Sequence, residues 1–370
     1  MKILYEPETF SIQDVGGVSR YFYELIDNAG PDVACELPVV LSNNLYLAER
    51  RHTRHLRLLP GLPVPGLWRL LQYANRHAAR RAIRRQNFDV FHPTVNDQTW
   101  FLDLLENKPF VITIHDMIPA LFRDYYQAAG PALSTLASRA ARIITVSENT
   151  RADVLRLLPV PPEHVAVVHH GHTVRDYPTT PAVAAPAEYL LFTGNRRAYK
   201  NFGVLVRAFE RLHAEYPDLH LMCAGGGPFT PAELEELRRA GVAGRTHQLG
   251  YLTDGQLSQL YRGARAFVFP SRYEGFGFPI LEAFGQQCPV VLSNASCFPE
   301  IAQDAALYFD PTSADDLHEQ LDRVLYDRAL RQILVRRGLE RLHDFTWART
   351  VAETHRVYQE AREDAPAMVC

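Results

Sequence analysis

Two glutamates and two glycines in one loop-and-helix segment are suited to bind a polyhydroxylated ligand. Gly275 and Gly277 allow the backbone to approach a ligand closely, and the proline two residues later favours the first turn of a helix. The free amides and positive dipole end of that helix would attract a phosphate or a sugar hydroxyl. Glu274 in the loop and Glu282 in the helix would offer two carboxylates. A solvated loop acid and a helix-dipole partner are the alternative, because their spacing alone is uninformative.

A second segment places cations where a strand is expected to end. Arg196 and Lys200 lie between the predicted strand 189–192 and the predicted helix 203–213. Fixed cations stabilise the charge that grows on a leaving diphosphate when its bond to a sugar breaks. The chain has 36 arginines and only three lysines, so a lysine in this cationic loop is unexpected from the composition. Arg197 is an alternative to Arg196 in this role, and a solvated basic loop is the alternative to a binding site.

Two further groups follow predicted strands of the first half. Gly16 and Gly17 precede an amphipathic run and could open a helix toward an anion, although a simple turn is the commoner use of such a pair. The full Gly-x-Gly-x-x-Gly pattern is absent, which argues against a dinucleotide dehydrogenase. His115 ends the apolar run 110–114 and could hydrogen-bond a substrate or transfer a proton, with Asp116 orienting it. A histidine that caps a strand end is the alternative.

Other reactive side chains do not form a recognisable centre. The histidines within 169–172 lack a nearby cysteine, and the acids at 315 and 316 are better explained as the first turn of a helix. The sequence also lacks the Gly-x-Ser-x-Gly pattern of many serine hydrolases. We therefore expect no metal site and no serine-type hydrolysis.

A strongly basic segment extends from Arg50 to Arg85, with ten arginines and no acidic residue. Arg69, Arg76, Arg80 and Arg84 recur at helical spacing. Such a helix could lie against an anionic bilayer, where each cation near the surface contributes about 1 kcal/mol. A solvated face is the alternative. The whole-chain net charge of -3 gives no global field for nucleic acid, so no nucleic-acid partner is expected.

Strands that alternate with helices must position these groups. Short β-branched runs and longer helical patterns follow one another along the chain, which predicts parallel sheets built from strand–helix–strand units. The predicted strands are 2–5, 38–41, 88–92, 110–114, 142–146 and 164–168, then 189–192, 219–223, 266–269 and 290–292. Open parallel sheets bind ligands beyond the carboxyl ends of their strands, where the segments above fall.

Length and composition predict a folded protein of two or three domains. The chain has 370 residues, of which 47% are hydrophobic and 22% charged, and this excludes collagen-like and disordered chains. We expect a first α/β domain over 1–172, a Pro- and Ala-rich linker over 173–187, a second α/β domain over 188–345, and a helical terminus over 346–370.

The cellular address is expected to be cytoplasmic. The five cysteines are widely spaced and include no Cys-x-x-Cys pair, which favours a reducing compartment. An acid interrupts the N-terminus before any apolar run of signal-peptide length, and no run reaches the roughly 18 apolar residues of a membrane span. Any membrane contact would therefore be peripheral.

Taken in order, these segments resemble the retaining nucleotide-sugar glycosyltransferases of family four, which have the two-domain GT-B fold. The similarity covers nearly the whole chain. It rests on Gly16 to Tyr21, Val111 to Pro119, Ile144 to Thr150, Gly194 to Asn201, Glu274 to Glu282, and Trp347.

The resemblance implies two Rossmann-like, doubly wound parallel-sheet domains that face each other across a cleft. The first domain would bind the acceptor and the second the donor, and the terminal helix would return to the first domain. The implied catalytic residues are His115, Arg196, Lys200 and Glu274. The implied donor-binding residues are Gly16, Gly17, Gly275, Phe276, Gly277, Phe278 and Glu282.

In the roles that the resemblance implies, Arg196 and Lys200 hold the donor diphosphate, Glu274 positions the donor sugar, Glu282 binds the ribose and His115 lies near the reacting carbon. It also implies transfer with retention and without a metal or other cofactor, in which the leaving phosphate accepts the proton of the acceptor. The branch it resembles most is that of bacterial mannosyltransferases of polysaccharide and glycolipid assembly. The expected donor is therefore GDP-mannose and the expected acceptor a saccharide or lipid-linked saccharide. The alternatives are a UDP-sugar donor, a nucleotide-sugar epimerase and a noncatalytic saccharide-binding protein of the same fold.

Overall fold

A computed structural model describes residues 1–49, 55–58, 66–122, 131–173, 181–196 and 198–364. Its strands are β1 (Lys2–Tyr5), β2 (Ala34–Glu36), β3 (Val90–His92), β4 (Val111–Ile114), β5 (Arg142–Thr145), β6 (Val165–Val167), β7 (Tyr189–Thr193), β8 (His220–Ala224), β9 (Thr246–Gln248), β10 (Ala266–Phe269), β11 (Val290–Ser293) and β12 (Leu307–Phe309). Its helices are α1 (Thr9–Ile12), α2 (Gly17–Asp27), α3 (Leu45–Glu49), α4 (Leu67–Arg84), α5 (Ile118–Leu121), α6 (Pro131–Arg139), α7 (Glu148–Leu157), α8 (Phe202–Glu215), α9 (Pro231–Arg239), α10 (Asp254–Gly263), α11 (Phe278–Gly285), α12 (Phe298–Ala302), α13 (Ala314–Tyr326), α14 (Arg328–Arg341) and α15 (Trp347–Glu363).

The chain divides into two compact units. Unit 1 contains Met1–Gly171 and Trp347–Cys370, and unit 2 contains His172–Thr346. Residues 174–180 of the predicted linker lie outside the described residues. Residues 181–187 form neither a helix nor a strand. The terminal helix α15 is part of unit 1, where the buried Tyr358 hydroxyl contacts Nδ1 of His92 at 2.6 Å.

Unit 1 is a parallel α/β unit. Its strands form the orders β2-β1-β3 and β4-β5-β6, and a parallel bridge from Phe91 to Phe110 lies between β3 and the start of β4. All its strand pairs are parallel. The order reverses between β1 and β3, so the loops after these strands flank a crevice of the kind that holds ligands in open α/β sheets.

Unit 2 has a Rossmann topology. Its six parallel strands have the order β12-β11-β10-β7-β8-β9, which corresponds to 6-5-4-1-2-3 in chain order. The central strands are buried along their whole length, as expected when helices cover both faces of a parallel sheet. The predicted α/β fold class is thereby confirmed in each unit.

One predicted strand was wrong. Residues 38–41 do not form a strand, and the second strand lies earlier, at Ala34–Glu36. The Asn75 side chain takes the place of a neighbouring strand: its Oδ1 accepts from the amides of Val40 and Leu41 at 2.7 and 3.0 Å, and its Nδ2 donates to the carbonyl of Leu41 at 2.6 Å. Strands β9 and β12, which were not predicted, are three-residue strands at the two edges of the unit 2 sheet.

Candidate active site

The crevice of unit 2 lies where the order of its parallel strands reverses, between β7 and β10. These strands are neighbours, yet the chain leaves them toward opposite edges of the sheet. The loop after β7 contains the cationic segment, and the loop after β10 contains the glycine-rich segment. The two loops are joined by the amide of Arg272, which donates to the carbonyl of Tyr199 at 2.7 Å. The fold therefore brings together two segments that are about 75 residues apart in sequence.

Lys200 and Glu274 meet at this point. The Lys200 ammonium donates to Glu274 Oε1 at 2.6 Å, and each side chain is only 12% exposed. The Lys200 ammonium also lies 5.1 Å from the ring centre of Phe269 and 5.4 Å from that of Tyr199. A charge-assisted hydrogen bond and two ring faces thus hold this cation at the carboxyl ends of the central strands.

The backbone of the glycine-rich loop is held by two residues of the loop that follows β11. The amide of Glu274 donates to Ser296 Oγ at 3.1 Å, and the same hydroxyl donates to the Glu274 carbonyl at 2.6 Å. The Cys297 thiol donates to the carbonyls of Glu274 and Phe276 at 3.3 and 3.1 Å. These contacts fix the loop before helix α11.

Helix α11 starts at this loop. Gly277 has a φ of 97°, a left-handed conformation that favours glycine, and Phe278 with the following proline opens the helix. Gly275 and Phe276 precede it in the same loop. Glu282 lies in the second turn of α11, half-buried, and its Oε2 accepts a hydrogen bond from Tyr261 at 3.3 Å.

Arg196, in the loop after β7, is held by a carboxylate and several carbonyls. Its side chain is 2% exposed, and its Nε donates to Glu233 Oε1 at 2.9 Å. Its two terminal nitrogens donate to the carbonyls of a glycine loop, which we define as Gly225–Pro228, at distances of 2.9 to 3.5 Å. The guanidinium also stacks on Phe229, 4.6 Å from the ring centre. In this conformation Arg196 joins the loop after β7 to the glycine loop and to α9; Arg197 lies outside the described residues.

The first glycine pair opens α2 in unit 1. Gly16 is the N-cap and Gly17 the first helical residue. Gly16 is extended, so its backbone would accept any residue, but a Cβ there would lie 2.4 Å from Gln13 Oε1. Gln13 Oε1 in turn accepts from the amide of Ser19 at 3.3 Å. The missing side chain therefore leaves room for a hydrogen-bonded Gln13 at the start of the helix.

His115 lies at the end of β4 inside unit 1. Burial lowers the pKa of His115 to about 4, so the ring is neutral at physiological pH. The ring stacks on His170, with 5.6 Å between centres, and contacts Tyr21 edge-on at 5.0 Å. Asp116, predicted to orient His115, accepts from the amide of Ile118 at 2.9 Å at the start of α5.

A cavity of about 660 Å³ lies at the carboxyl edge of the unit 1 sheet. Its polar lining includes His115, Asp116, Thr94, Asn96 and Gln13. Within the described ranges, His115 Nε2 and Asn96 Oδ1 are buried polar atoms without a hydrogen-bond partner. Buried polar atoms are usually paired, so these two indicate a site where a ligand or water binds. Sequence reasoning missed Thr94 and Asn96, although they follow strand β3 at the reversal of the sheet.

Two family models match this chain in tandem. Residues 15–176 match Glycosyltransferase Family 4, and residues 180–341 match Glycosyl transferases group 1. The chain belongs to the GT-B glycosyltransferases. The predicted family is thereby confirmed, and the two matched regions fall one in each unit apart from the last residues of the first.

Relatives of this chain include mannosyltransferases. It is 33% identical over 231 residues to O-antigen chain mannosyltransferase B of Escherichia coli, covering 59% of this chain and 60% of that one. It is 27% identical over 274 residues to the serotype-specific mannosyltransferase WbdA of the same species, covering 66% of this chain and 33% of that one. The match thus spans 60% of the first relative's length and a third of the second's.

Solved structures show the same fold. A sucrose-phosphate synthase from Thermosynechococcus elongatus superposes with a TM-score of 0.73 at 20% identity, covering 97% of this chain and 98% of that one. Anabaena HepE in complex with UDP and glucose superposes with a TM-score of 0.70 at 15% identity, covering 96% and 99%. At these identities the likeness concerns the fold alone.

Proposed function

We propose that the chain transfers a hexose, mannose from GDP-mannose, to a saccharide or lipid-linked saccharide acceptor, with retention at the anomeric carbon and without a metal. The observation that carries the proposal is the Lys200–Glu274 pair at the reversal point of the unit 2 sheet, beside the start of α11. The names of the mannosyltransferase relatives support the choice of sugar.

Lys200 is suited to the leaving diphosphate. A cation that is fixed in a largely dehydrated site stabilises charge that develops in the transition state, because it needs no reorganisation. Glu274 holds the ammonium until the donor arrives, and its carboxylate can then accept hydrogen bonds from the sugar hydroxyls. The amides of Gly275 to Phe278 and Glu282 would complete the donor site. The geometry favours Lys200 over Arg196 as the primary diphosphate ligand.

The cavity of unit 1 is suited to saccharide hydroxyls. Its lining combines the carboxylates Asp97 and Asp116 with neutral donors and acceptors, which include the unpaired Asn96 Oδ1 and His115 Nε2. A neutral imidazole can donate or accept a hydrogen bond without placing a charge beside the reacting sugar. We assign this cavity to the acceptor and to the contact between His115 and the transferred sugar.

The decisive experiment is a turnover assay with a panel of GDP- and UDP-sugars and saccharide acceptors, with the product anomer read by NMR. Lys200→Ala and Glu274→Ala should each lower kcat/KM about 10²- to 10³-fold with the fold retained. Lys108→Ala, in unit 1, is the matched control and should keep wild-type turnover. Activity should survive chelation of divalent cations. Wild-type rates in Lys200→Ala would refute the site.

The same assay separates the other functions. Release of an epimerised nucleotide sugar without any acceptor would identify an epimerase. Binding of saccharide with no turnover of any donor would identify a noncatalytic protein. Transfer from UDP-sugars alone would keep the reaction and change the donor.

Helix α4 is the proposed contact with an anionic membrane. Its first turns expose Trp68, Leu70 and Tyr73 at 47%, 51% and 74%, next to the exposed Arg69. Exposed aromatic rings beside arginines are typical of helices that lie in the membrane interface. Residues 50–54 and 59–65 of the basic segment lie outside the described residues. In the described part of the chain, every helix is too short or too polar to span a bilayer.

Vesicle sedimentation tests this contact. Vesicles with phosphatidylglycerol should retain the protein at low salt and release it at high salt, and Tyr73→Ser with Trp68→Ser should weaken retention. Tyr326→Ser, at a residue of unit 2 that is 85% exposed, is the matched control. Retention that ignores salt and both α4 changes would contradict the proposal.

A further inference from the structure

In addition to the cavity of unit 1, a large cavity in unit 2 is not used by the proposed reaction. It has a volume of about 770 Å³, and we call it the arginine cavity. Arg265 and Pro289, which contribute to its lining, directly precede β10 and β11. The cavity therefore lies at the amino ends of the strands, whereas Lys200 and Glu274 lie at their carboxyl ends. A four-residue strand separates the two edges by about 13 Å.

The charges that face the arginine cavity are mainly positive. The positive or protonatable residues in its lining are Arg265, Arg328, Arg331, Arg336 and His343, and the acidic residue is Glu340. Glu340 lies 3.9 Å from Arg336, and both side chains are about 70% exposed, at 71% for Arg336 and 68% for Glu340. Glu188 binds Arg265 from outside the lining. Asp327, beside Arg328, accepts from the amide of Leu330 at 2.9 Å. The acids thus leave an excess of positive charge.

Arg328 and Arg331 contribute most of that excess. Among the described residues, neither forms an ion pair with a carboxylate. Arg331 Nη1 donates to the carbonyls of Val324 and Leu325, both at 2.7 Å, which fixes its guanidinium at the end of α13. The pKa of Arg331 is lowered by burial and then by the nearby Arg265 and Arg328. An anion between these guanidinium groups would relieve their mutual repulsion.

The rest of the lining combines amides with an apolar wall. Gln287 and Gln332 supply amide donors, and Val335 and Leu339 on α14 supply apolar surface. Leu339 is 37% exposed. A ligand that fits such a lining has an anionic group and a carbon skeleton.

We propose that the arginine cavity binds a phosphomonoester. The planar arginine fork matches the oxygens of a phosphate, and a dianion would compensate two of the four guanidinium charges. The volume lies within the range of small-molecule sites. The group can belong to a soluble metabolite or to a lipid headgroup. Because the cavity is at the opposite edge of the sheet, this ligand is distinct from the proposed donor, and both can bind at once.

The test uses the full chain carrying Lys200→Ala, which disables the proposed donor site. Calorimetric titration with glycerol 3-phosphate reports the soluble form, and sedimentation with vesicles containing phosphatidic acid reports the lipid form. Arg328→Gln and Arg336→Gln should each weaken binding about tenfold, because each removes a charge-assisted hydrogen bond. Arg337→Gln is the matched control, since Arg337 adjoins Arg336 on α14 but lies outside the lining and pairs with Asp304 at 3.3 Å.

The outcomes separate the sources. Saturable binding of glycerol 3-phosphate that depends on Arg328 and Arg336 supports a soluble ligand. Vesicle binding that depends on both arginines, and persists when α4 carries Trp68→Ser, supports a lipid. Binding that is absent from both arms, or equal in the arginine variants and Arg337→Gln, overturns the proposal.

Discussion

The carboxyl edges of the two sheets hold their titratable groups in different ways. At the edge of unit 2 the charges are paired: Lys200 contacts Glu274 at 2.6 Å, and Arg196 contacts Glu233 at 2.9 Å. At the edge of unit 1, His115 and Glu6 are desolvated. Burial lowers the pKa of His115 to about 4, and burial followed by the nearby Glu8 raises the pKa of Glu6 to about 8. Both unit 1 groups are therefore pushed toward their neutral forms.

The difference bears on what each edge can do. Paired charges fix the loops that carry them, as needed by a site for a charged diphosphate. Desolvated neutral groups keep polar atoms available for uncharged partners such as sugar hydroxyls. One Rossmann-like framework thus supports two kinds of site, and the distinction lies in the loops after the strands.

Among the changes to the paired charges of unit 2, the replacement of Arg196 should have the largest effect on stability. Arg196→Ala leaves Glu233 and the glycine-loop carbonyls without their donor, and we expect a loss of about 3 kcal/mol in the free energy of unfolding. Calorimetry measures the change. The three tryptophans, at 68, 100 and 347, all lie in unit 1, so their fluorescence should report a smaller shift.

The matched control for this change is Arg238→Ala on α9. Arg238 is 63% exposed and lies 3.6 Å from Glu235, a surface pair of the kind that contributes less than about 1 kcal/mol. If Arg196→Ala and Arg238→Ala lose the same free energy of unfolding, Arg196 does not stabilise the fold by joining these loops.

Acid should unfold unit 1 through its neutral histidines. The pKa of His115 is lowered to about 4, that of His92 to about 3, and that of His170 well below its usual value, all chiefly by burial. The unfolded chain therefore binds more protons than the native one as the pH falls from about 6.5 to 4, and stability is lost in that window. Glu6 acts in the opposite sense, because its raised pKa favours the native state as the pH falls from 8.

His115→Gln isolates one of these groups. It should reduce the slope of unit 1 stability against pH by up to one proton, about 1.4 kcal/mol per pH unit, in denaturant titrations followed by tryptophan fluorescence. His77→Gln, which removes an exposed imidazole of α4, is the matched control. Equal slopes in the wild type and His115→Gln would mean that His115 binds protons equally in the native and unfolded states.

The sequence was sufficient to place strands that run through the cores. The runs at 110–114 and 266–269 consist of β-branched and aromatic residues apart from Ala266, and both contain buried strands. The strand predicted at 38–41 failed for a reason outside its own sequence, since the amides of Val40 and Leu41 donate to the side chain of Asn75 on a distant helix. Local pattern carries no information about such a partner.

The site follows the same division. The meeting of Lys200 and Glu274 follows from chain topology, because both follow central strands and the reversal of strand order puts those strands side by side. The position of Arg196 does not follow, because it depends on the left-handed glycine loop and on Glu233, which is 37 residues away. The polar cavity residues Thr94 and Asn96 have no motif of their own and emerge only once β3 is placed beside β1.

The glycine loop offers a test of how closely unit 2 is packed at this edge. Gly226 has a φ of 74°, and an added Cβ would lie 2.7 Å from the Gly194 carbonyl oxygen and 2.9 Å from Arg196 Nη1. Gly241 has a φ of 67° with open space around it. Gly241→Ala therefore measures the backbone cost alone, about 1 kcal/mol, and Gly226→Ala should cost about 2 kcal/mol more in the free energy of unfolding. Equal costs would show that the glycine loop moves freely away from Arg196.

Ser296→Ala should have the smallest effect on stability and a specific effect on turnover. Its hydroxyl bonds both the amide and the carbonyl of Glu274, and its φ of 55° is left-handed, a strained conformation for serine. Ser296→Ala should cost only about 1 kcal/mol of stability, yet lower kcat about tenfold, because Glu274 loses its fixed position opposite Lys200. Thr253→Ala removes the N-cap bond to the amide of Gln256 at a similar cost in stability and should leave kcat unchanged. If both variants keep wild-type kcat, the fixed loop is a feature of folding alone, and the contrast between the paired charges of the unit 2 edge and the desolvated groups of the unit 1 edge has no bearing on turnover.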